Sequence, residues 1–262
     1  MWIKTSCRLE LDYVSPTQLI LMLRPRSGAS QWVSSETYEL SQQVEVVEYT
    51  DQYGNLCQRL IAPKGGFVIE TSATVNTPDL MDMGAGDPFV DISRLPDETL
   101  RYLVPSRYCE SDRFGGLALE IAGPSNSGYD QVERIVDWIR EEVAYAPGTS
   151  STPCSASEIL ETGAGVCKDL AHLAVAMCRS ISIPARFVVG YLHGLEPMDL
   201  HAWFEAYVGD RWYTFDPTQK DLRGARVSIA YGRDAADVAI YHQFGPPAIY
   251  TDMTVSVKEI QP

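Results

Sequence analysis

Residues 163–178 read Gly-Ala-Gly-Val-Cys-Lys-Asp-Leu-Ala-His-Leu-Ala-Val-Ala-Met-Cys, a glycine-containing loop that leads into a predicted helix. Apolar residues recur at intervals of three and four from Leu170 to Met177, which is typical of a helix, and Pro184 prevents its continuation. Cys167 lies where the loop becomes the helix. The N–H groups at a helix start are unpaired and the helix dipole favours negative charge there, so a thiolate would be stabilised. We therefore predict that Cys167 is a nucleophile.

A predicted β-hairpin downstream brings a histidine and an aspartate to one face of a sheet. Residues 201–208 and 211–215 have strand character, and the two residues between them can form a tight turn. The register set by that turn makes His201 and Asp216 diagonal neighbours, about 7–8 Å apart at the backbone. An acid there can hold an imidazole in the tautomer that acyl-transfer triads require. We predict Cys167, His201 and Asp216 as the catalytic nucleophile, base and orienting acid.

Each of these three residues alone also has an ordinary structural explanation. A single cysteine usually belongs to the core, a histidine at a strand start can be a half-buried ring, and an Asp-Pro pair often begins a turn. Their order along the chain, combined with the hairpin geometry, favours the catalytic interpretation.

The other cysteines, histidines and acids do not indicate a metal site. No cysteines form a C-x-x-C pair and the four histidines lack metal-ligand spacing, so we predict no metal and no cofactor. The acidic residues between positions 79 and 91 do not match a calcium-binding loop. Five cysteines are expected to be buried free thiols: Cys7, Cys57, Cys109, Cys154 and Cys178.

Composition excludes several classes of protein. The 262 residues carry 21 Lys and Arg against 35 Asp and Glu, a formal net charge of −14. This balance argues against a nucleic-acid partner, because phosphates are bound by clustered basic residues. No apolar run approaches the roughly 20 residues needed to cross a bilayer, so no membrane partner is expected. Glu10 and Asp12 interrupt the N-terminal segment, which disfavours a signal peptide and predicts a cytoplasmic protein.

The pattern along the chain changes from β-rich to mixed. Residues 1–112 contain strand-sized runs punctuated by Gly, Pro and Asn, which is typical of an antiparallel β-sandwich. Within them, residues 77–97 are rich in Pro, Gly and Asp and are predicted to be a solvated linker. Helical spacing first appears at residues 129–144. We therefore predict an α+β fold, with a β-sandwich domain followed by a catalytic domain over residues 113–262.

Several segments resemble the bacterial transglutaminase-like superfamily, whose members are often described as cysteine proteases. The resemblance covers nearly the whole chain, and its most specific segments are Gly163-Ala-Gly-Val-Cys-Lys-Asp-Leu-Ala-His172, Ile183-Pro-Ala-Arg-Phe-Val-Val-Gly-Tyr191, Asp199-Leu-His-Ala-Trp-Phe-Glu205 and Trp212-Tyr-Thr-Phe-Asp-Pro-Thr218. It implies a papain-like core after the β-sandwich, with the same three catalytic residues. Lys168 departs from the family pattern, in which an uncharged polar residue usually follows the cysteine.

These residues predict cysteine-based acyl chemistry through a thioester intermediate. We expect hydrolysis of a peptide, an isopeptide or a glutamine amide, with a peptide or protein as the substrate. The same residues could transfer the acyl group to an amine, as a transglutaminase does. A third possibility is a binding module without catalytic activity. The sequence does not distinguish hydrolysis from transfer, because both use the same three residues.

Overall fold

The computed structural model describes residues 1–28, 30–148, 152–221, 223–238 and 240–261. Its strands are β1 (Trp2–Tyr13), β2 (Thr17–Leu21), β3 (Trp32–Leu40), β4 (Val46–Thr50), β5 (Leu56–Ala62), β6 (Gly65–Asn76), β7 (Ala144–Tyr145), β8 (Ala164–Gly165), β9 (Ala185–Leu192), β10 (His201–Val208), β11 (Arg211–Phe215), β12 (Arg226–Gly232), β13 (Tyr241–Phe244) and β14 (Tyr250–Ile260). Its α-helices are α1 (Asp97–Leu100), α2 (Gly115–Ala122), α3 (Gly128–Glu142), α4 (Ala156–Thr162) and α5 (Cys167–Ser180).

Two four-stranded antiparallel sheets contain the N-terminal strands. Their strand orders are β14-β1-β6-β3 and β13-β2-β5-β4, so each sheet takes one strand from the C-terminal part of the chain. Buried and more exposed side chains alternate along β1, as expected for a strand with one face on a core. The pairing of β1 with β14 runs from Trp2 opposite Ile260 to Asp12 opposite Tyr250. Because each of these sheets combines N-terminal strands with a C-terminal one, the division of the chain into two domains near residue 112 stays a prediction.

A third antiparallel sheet, in the order β11-β10-β9-β12, packs against helix α5. Helix α5 is almost entirely buried and forms a core with Phe204 and Phe215 of the sheet. The β10–β11 hairpin has the predicted register, with Phe204 opposite Phe215. Gly209 and Asp210 have φ values of 56° and 62°. A two-residue type I′ turn requires such positive angles at both positions.

The predicted linker, residues 77–97, is a loop that packs on the third sheet instead of being wholly solvated. The N–H groups of Gly224 and Ala225 donate to carbonyl oxygens of Asp79 and Pro78, at 2.9 and 2.8 Å. A side chain at position 224 would overlap the Pro78 carbonyl, so this approach requires glycine. The loop thereby covers the chain just before β12.

The prediction of mixed α and β structure is confirmed, whereas the finer β-sandwich and papain-like architectures stay predictions. None of the described helices is both long and apolar enough to cross a membrane.

Candidate active site

His201 and Asp216 form a buried hydrogen-bonded pair. His201 is the first residue of β10 and Asp216 follows the last residue of β11, so the hairpin register fixes their separation. The Nε2 atom of His201 lies 2.7 Å from Oδ2 of Asp216, and both side chains are about 99% buried or more. The sequence-based prediction that these two residues meet is confirmed. Their catalytic roles stay a prediction.

Cys167 is the first residue of α5, and its side chain interacts electrostatically with that of His201. The Nε2 atom of His201 is hydrogen-bonded to Asp216, while its Nδ1 atom is buried and has no hydrogen-bond partner among the described residues. Burial lowers the pKa of His201, but the charge and hydrogen bond of Asp216 and the interaction with the Cys167 thiol raise it to about 9. Nδ1 is therefore the ring atom that is available to the thiol, and the complete triad of Cys167, His201 and Asp216 stays a prediction.

Asp216 is held by more partners than the sequence suggested. Its Oδ2 atom also accepts a hydrogen bond from Arg226 at 2.6 Å, while Oδ1 accepts from the N–H and hydroxyl of Thr218 at 2.9 and 2.8 Å. Arg140 of α3 donates to the Asp216 backbone carbonyl at 2.7 Å. Burial alone would raise the pKa of Asp216, but the hydrogen bonds and charges of His201 and Arg226 hold it well below its usual range.

Arg226 also determines the charge balance of the site. A buried carboxylate requires a counter-charge, and Arg226, itself 93% buried, supplies one to Asp216. Asp216 and Arg226 together therefore leave no net charge beside the His201 ring.

A ring and a glycine support the His201 side chain from behind. The Trp203 ring lies against His201, with centroids 6.1 Å apart and planes 26° apart. Gly190 of β9 is paired with His201 across the sheet, and a Cβ at this position would overlap the Val227 carbonyl and lie 2.8 Å from the Trp203 ring. Only glycine therefore allows the tryptophan to lie where it supports the imidazole.

A second group of ionisable side chains near the helix start has a structural role. Asp169 is fully buried and accepts hydrogen bonds from the N–H groups of Cys154 and Val166, at 3.0 and 3.1 Å. His172 contacts the Cys154 carbonyl through Nδ1 at 2.9 Å and accepts from the Ala235 N–H through Nε2 at 3.1 Å. These partners fix its neutral form, and burial lowers the pKa of His172. His172 is therefore a fully buried residue of the core whose two ring nitrogens both have partners.

Two residues on the rim of the site were missed at the level of sequence. Tyr145 of β7 is paired with Gly165, two residues before Cys167, and is 47% exposed. Asp199 is exposed and precedes His201 by two residues. Burial raises the pKa of Tyr145, and the charges of Cys167, Asp216 and Asp199 raise it further. The charges of Cys167 and Asp199 thus both act on the Tyr145 hydroxyl.

The chain is similar to several known proteins. The sequence profile of the transglutaminase-like superfamily matches residues 115–217, which include Cys167, His201 and Asp216. The crystal structure of "a Putative Cysteine Protease from Cytophaga hutchinsonii" superimposes with a TM-score of 0.89 at 34% identity, covering 100% of this chain and 92% of that one. An uncharacterised protein of Mycobacterium leprae is 29% identical over 231 residues, 83% of this chain and 82% of that protein. An uncharacterised protein of Mycobacterium tuberculosis is 30% identical over 140 residues, only 42% of its own length.

Proposed function

Because the chain belongs to the transglutaminase-like superfamily, we propose that it is an enzyme that attacks amides with the Cys167 thiolate. Family membership and the similarity to the Cytophaga hutchinsonii protein support cysteine-based acyl chemistry. The observation that carries the finer proposal is the buried His201 ring, which is hydrogen-bonded to Asp216 through one nitrogen and interacts with the Cys167 side chain.

In the first half of the reaction, His201 takes the proton of Cys167 and the thiolate attacks the amide carbonyl. The backbone N–H of Cys167, free of an intrahelical partner at the start of α5, helps to stabilise the developing oxyanion. The C–N bond then breaks, and the imidazolium of His201 gives its proton to the departing amine. The acyl group remains on Cys167 as a thioester.

In the second half, His201 takes a proton from water and the resulting hydroxide attacks the thioester. The product acid leaves and Cys167 recovers its proton. We propose hydrolysis of a peptide, an isopeptide or a glutamine amide as the principal outcome, with a peptide or protein as the substrate. Transfer to an amine is the alternative, since an amine that reaches the thioester before water would form a new amide.

The experiment incubates the protein with a glutamine-containing peptide and a fluorescent primary amine. Hydrolysis predicts release of ammonia or of peptide fragments without incorporation of the label, whereas acyl transfer predicts a labelled peptide. Cys167→Ala is the control and should be inactive in both assays. Equal product formation by this variant would refute the assignment of Cys167 as the nucleophile.

A non-catalytic binding module is tested by thiol reactivity. The enzyme proposal predicts that iodoacetamide alkylates Cys167 at neutral pH faster than it alkylates a free thiol in a peptide. It also predicts that His201→Ala slows this reaction. A Cys167 no more reactive than the peptide thiol, in the wild type and in the variant alike, would favour the binding module.

A further inference from the structure

The outer side of strand β12 is covered by side chains from the two sheets that contain the N-terminal strands. Strand β12 is the last in the order β11-β10-β9-β12, so part of its backbone N–H and C=O groups point away from the third sheet. Backbone groups of this kind are costly when they are buried without partners. In this protein, polar side chains take the place of a further strand.

Two side-chain amides imitate a paired strand at two positions of β12. Gln31 precedes β3, and its amide donates to the Ser228 carbonyl at 2.9 Å and accepts from the Ser228 N–H at 2.7 Å. Asn55 precedes β5 and makes the same two contacts with Tyr231, both at 2.8 Å. Both amides are buried. Each supplies the donor and the acceptor that the backbone of a neighbouring antiparallel strand would supply.

A β-bulge explains the spacing of these contacts along β12. The register of β12 against β9 shifts between Ser228 and Ala230. Regular alternation would point the backbone groups of residues 226, 228 and 230 outward, and the extra residue moves the third position to 231. Thr77, which follows β6, serves the first position, because its hydroxyl donates to the Arg226 carbonyl at 2.8 Å. The outward positions of β12 are therefore bound at residues 226, 228 and 231.

The side chain of Arg226 carries this restraint into the candidate active site. It leaves β12 at the first residue of the strand and donates to Oδ2 of Asp216, the same atom that accepts from Nε2 of His201. Its guanidinium also lies over the Trp203 ring, with Cζ 5.8 Å from the ring centroid. Because Arg226 is buried and packed, a shift of the β12 backbone is passed on to its hydrogen bond with Asp216.

We propose that Gln31 and Thr77 are positioning residues of the active site, which hold β12 so that Arg226 stays on the Asp216 carboxylate that orients His201. The proposal rests on the proposed function. It extends the residues on which the reaction depends to segments of the N-terminal sheets, and it gives those sheets a part in the chemistry.

Distance along β12 distinguishes these two residues from Asn55. Thr77 binds Arg226 itself, and Gln31 binds the strand two residues away, about 7 Å from Arg226. Asn55 binds the strand five residues away, about 16 Å from Arg226, and holds its far end. Loss of the Asn55 amide should therefore destabilise the fold without disturbing the position of Arg226.

The test compares variants that lose the same chemistry at different places. Gln31→Met and Thr77→Val keep the approximate size of each side chain and remove its hydrogen bonds to β12. Asn55→Leu is the matched control for the amide. Thr99→Val is the matched control for the hydroxyl, since the buried Thr99 donates to the Pro96 carbonyl at 2.8 Å and not to β12. Urea unfolding at pH 7 measures the loss of stability in each variant.

The first readout is the proton on Nε2 of His201, which needs no catalytic activity. A buried imidazole N–H that donates to a carboxylate at 2.7 Å gives a far-downfield ¹H NMR signal, assigned here by its loss in His201→Asn. Both positioning variants should shift or broaden this signal, because Asp216 is held less firmly. The two control variants should leave it unchanged, even at an equal loss of stability. An unchanged signal in both positioning variants, or the same change in the controls, would overturn the proposal.

The second readout is alkylation of Cys167 by iodoacetamide at neutral pH, followed by mass spectrometry of the Cys167 peptide. The rate constant should fall roughly three- to tenfold in Gln31→Met and Thr77→Val, and less than about twofold in the controls, because residues of one hydrogen-bond network are coupled to this extent. In an Arg226→Met background, the fall caused by Gln31→Met should shrink. An equal fall in that background would overturn the proposal, since Arg226 would then not transmit the effect.

The two readouts separate this proposal from the proposed function. If Cys167 of the wild type is no more reactive than a peptide thiol, while the His201 signal still changes only in the positioning variants, the proposed function fails and the positioning roles stand. If Cys167 is highly reactive and neither readout responds to Gln31→Met or Thr77→Val, the proposed function stands and the positioning roles fail.

Discussion

Replacing Asp216 with asparagine should unbalance the buried charges behind the nucleophile. The carboxylate accepts four hydrogen bonds, from His201 at 2.7 Å, from Arg226 at 2.6 Å and from the Thr218 N–H and hydroxyl at 2.9 and 2.8 Å. Asparagine keeps one acceptor oxygen, which can serve Thr218, and turns an NH₂ donor toward the other two donors. Arg226 is then buried without a counter-charge.

The expected loss of folding stability follows from the unpaired charge of Arg226. Removing one member of a buried ion pair costs about 3–5 kcal/mol, against a total stability of roughly 5–15 kcal/mol for a typical protein. Alkylation of Cys167 and any turnover should also fall, by roughly 10³–10⁴-fold for turnover, because the imidazole of His201 loses its fixed tautomer. Urea unfolding at pH 7 measures the first effect and iodoacetamide kinetics the second.

A double-mutant cycle with Arg226→Met distinguishes the energetic coupling between Asp216 and Arg226 from the separate destabilising effects of the two substitutions. Each single variant leaves one charge alone, whereas the variant that combines Asp216→Asn with Arg226→Met leaves neither. The double variant should therefore lose less free energy of unfolding than the sum of the single losses, with a coupling of at least about 1 kcal/mol. Losses that add to within about 0.5 kcal/mol would refute the view that Asp216 and Arg226 stabilise the site as a pair.

Three further substitutions test the nucleophile, its support and its base. Cys167→Ala should abolish alkylation at this position and activity, yet change the free energy of unfolding by less than about 1 kcal/mol; a large loss would indicate a structural role. Gly190→Ala should cost about 1–3 kcal/mol or more by overpacking and should slow Cys167 alkylation, whereas Gly116→Ala, in an uncrowded helical position, should stabilise by up to about 1 kcal/mol in thermal unfolding. The raised pKa of His201 stabilises the fold fully below its usual value of about 6.5, and this contribution is lost as pH rises through about 9. The urea midpoint of the wild type should decline between pH 6.5 and about 9, and that of His201→Asn should decline less. Equal declines in the two proteins would contradict the assignment of this pH dependence to His201.

Local signals in the sequence were sufficient to predict the elements that carry the candidate site. The glycine-containing loop before Cys167 and the apolar spacing after it predicted the start of α5, and the two-residue turn between residues 208 and 211 predicted the hairpin register. Because pleating alternates side chains strictly, that register was enough to bring His201 and Asp216 together. Both predictions depended only on interactions between residues close in sequence.

Interactions between distant segments were not predictable in the same way. Arg226 and Arg140 reach Asp216 from positions 10 and 76 residues away, and nothing in their immediate sequence indicates a partner. The strands β12, β13 and β14 pair with strands far away in the chain, without a hairpin turn that would mark them. The rim residue Tyr145 was missed for a related reason, since a two-residue strand leaves no periodic pattern.

The pairing of β1 with β14 has a consequence for the order of events during synthesis. Strand β1 is synthesised long before residues 250–260, which form one of its two neighbours, so that edge stays open until those residues have been made. Contacts between such distant segments form slowly, because the entropic cost of closing a large loop comes before the stabilising strand pairing is made. The segment that carries Cys167, the proposed nucleophile, lies inside this loop. A newly made chain should therefore be most prone to aggregation, and most in need of a chaperone, at one stage of synthesis. At that stage Cys167, His201 and Asp216 have been made, but residues 250–260 have not yet paired with β1.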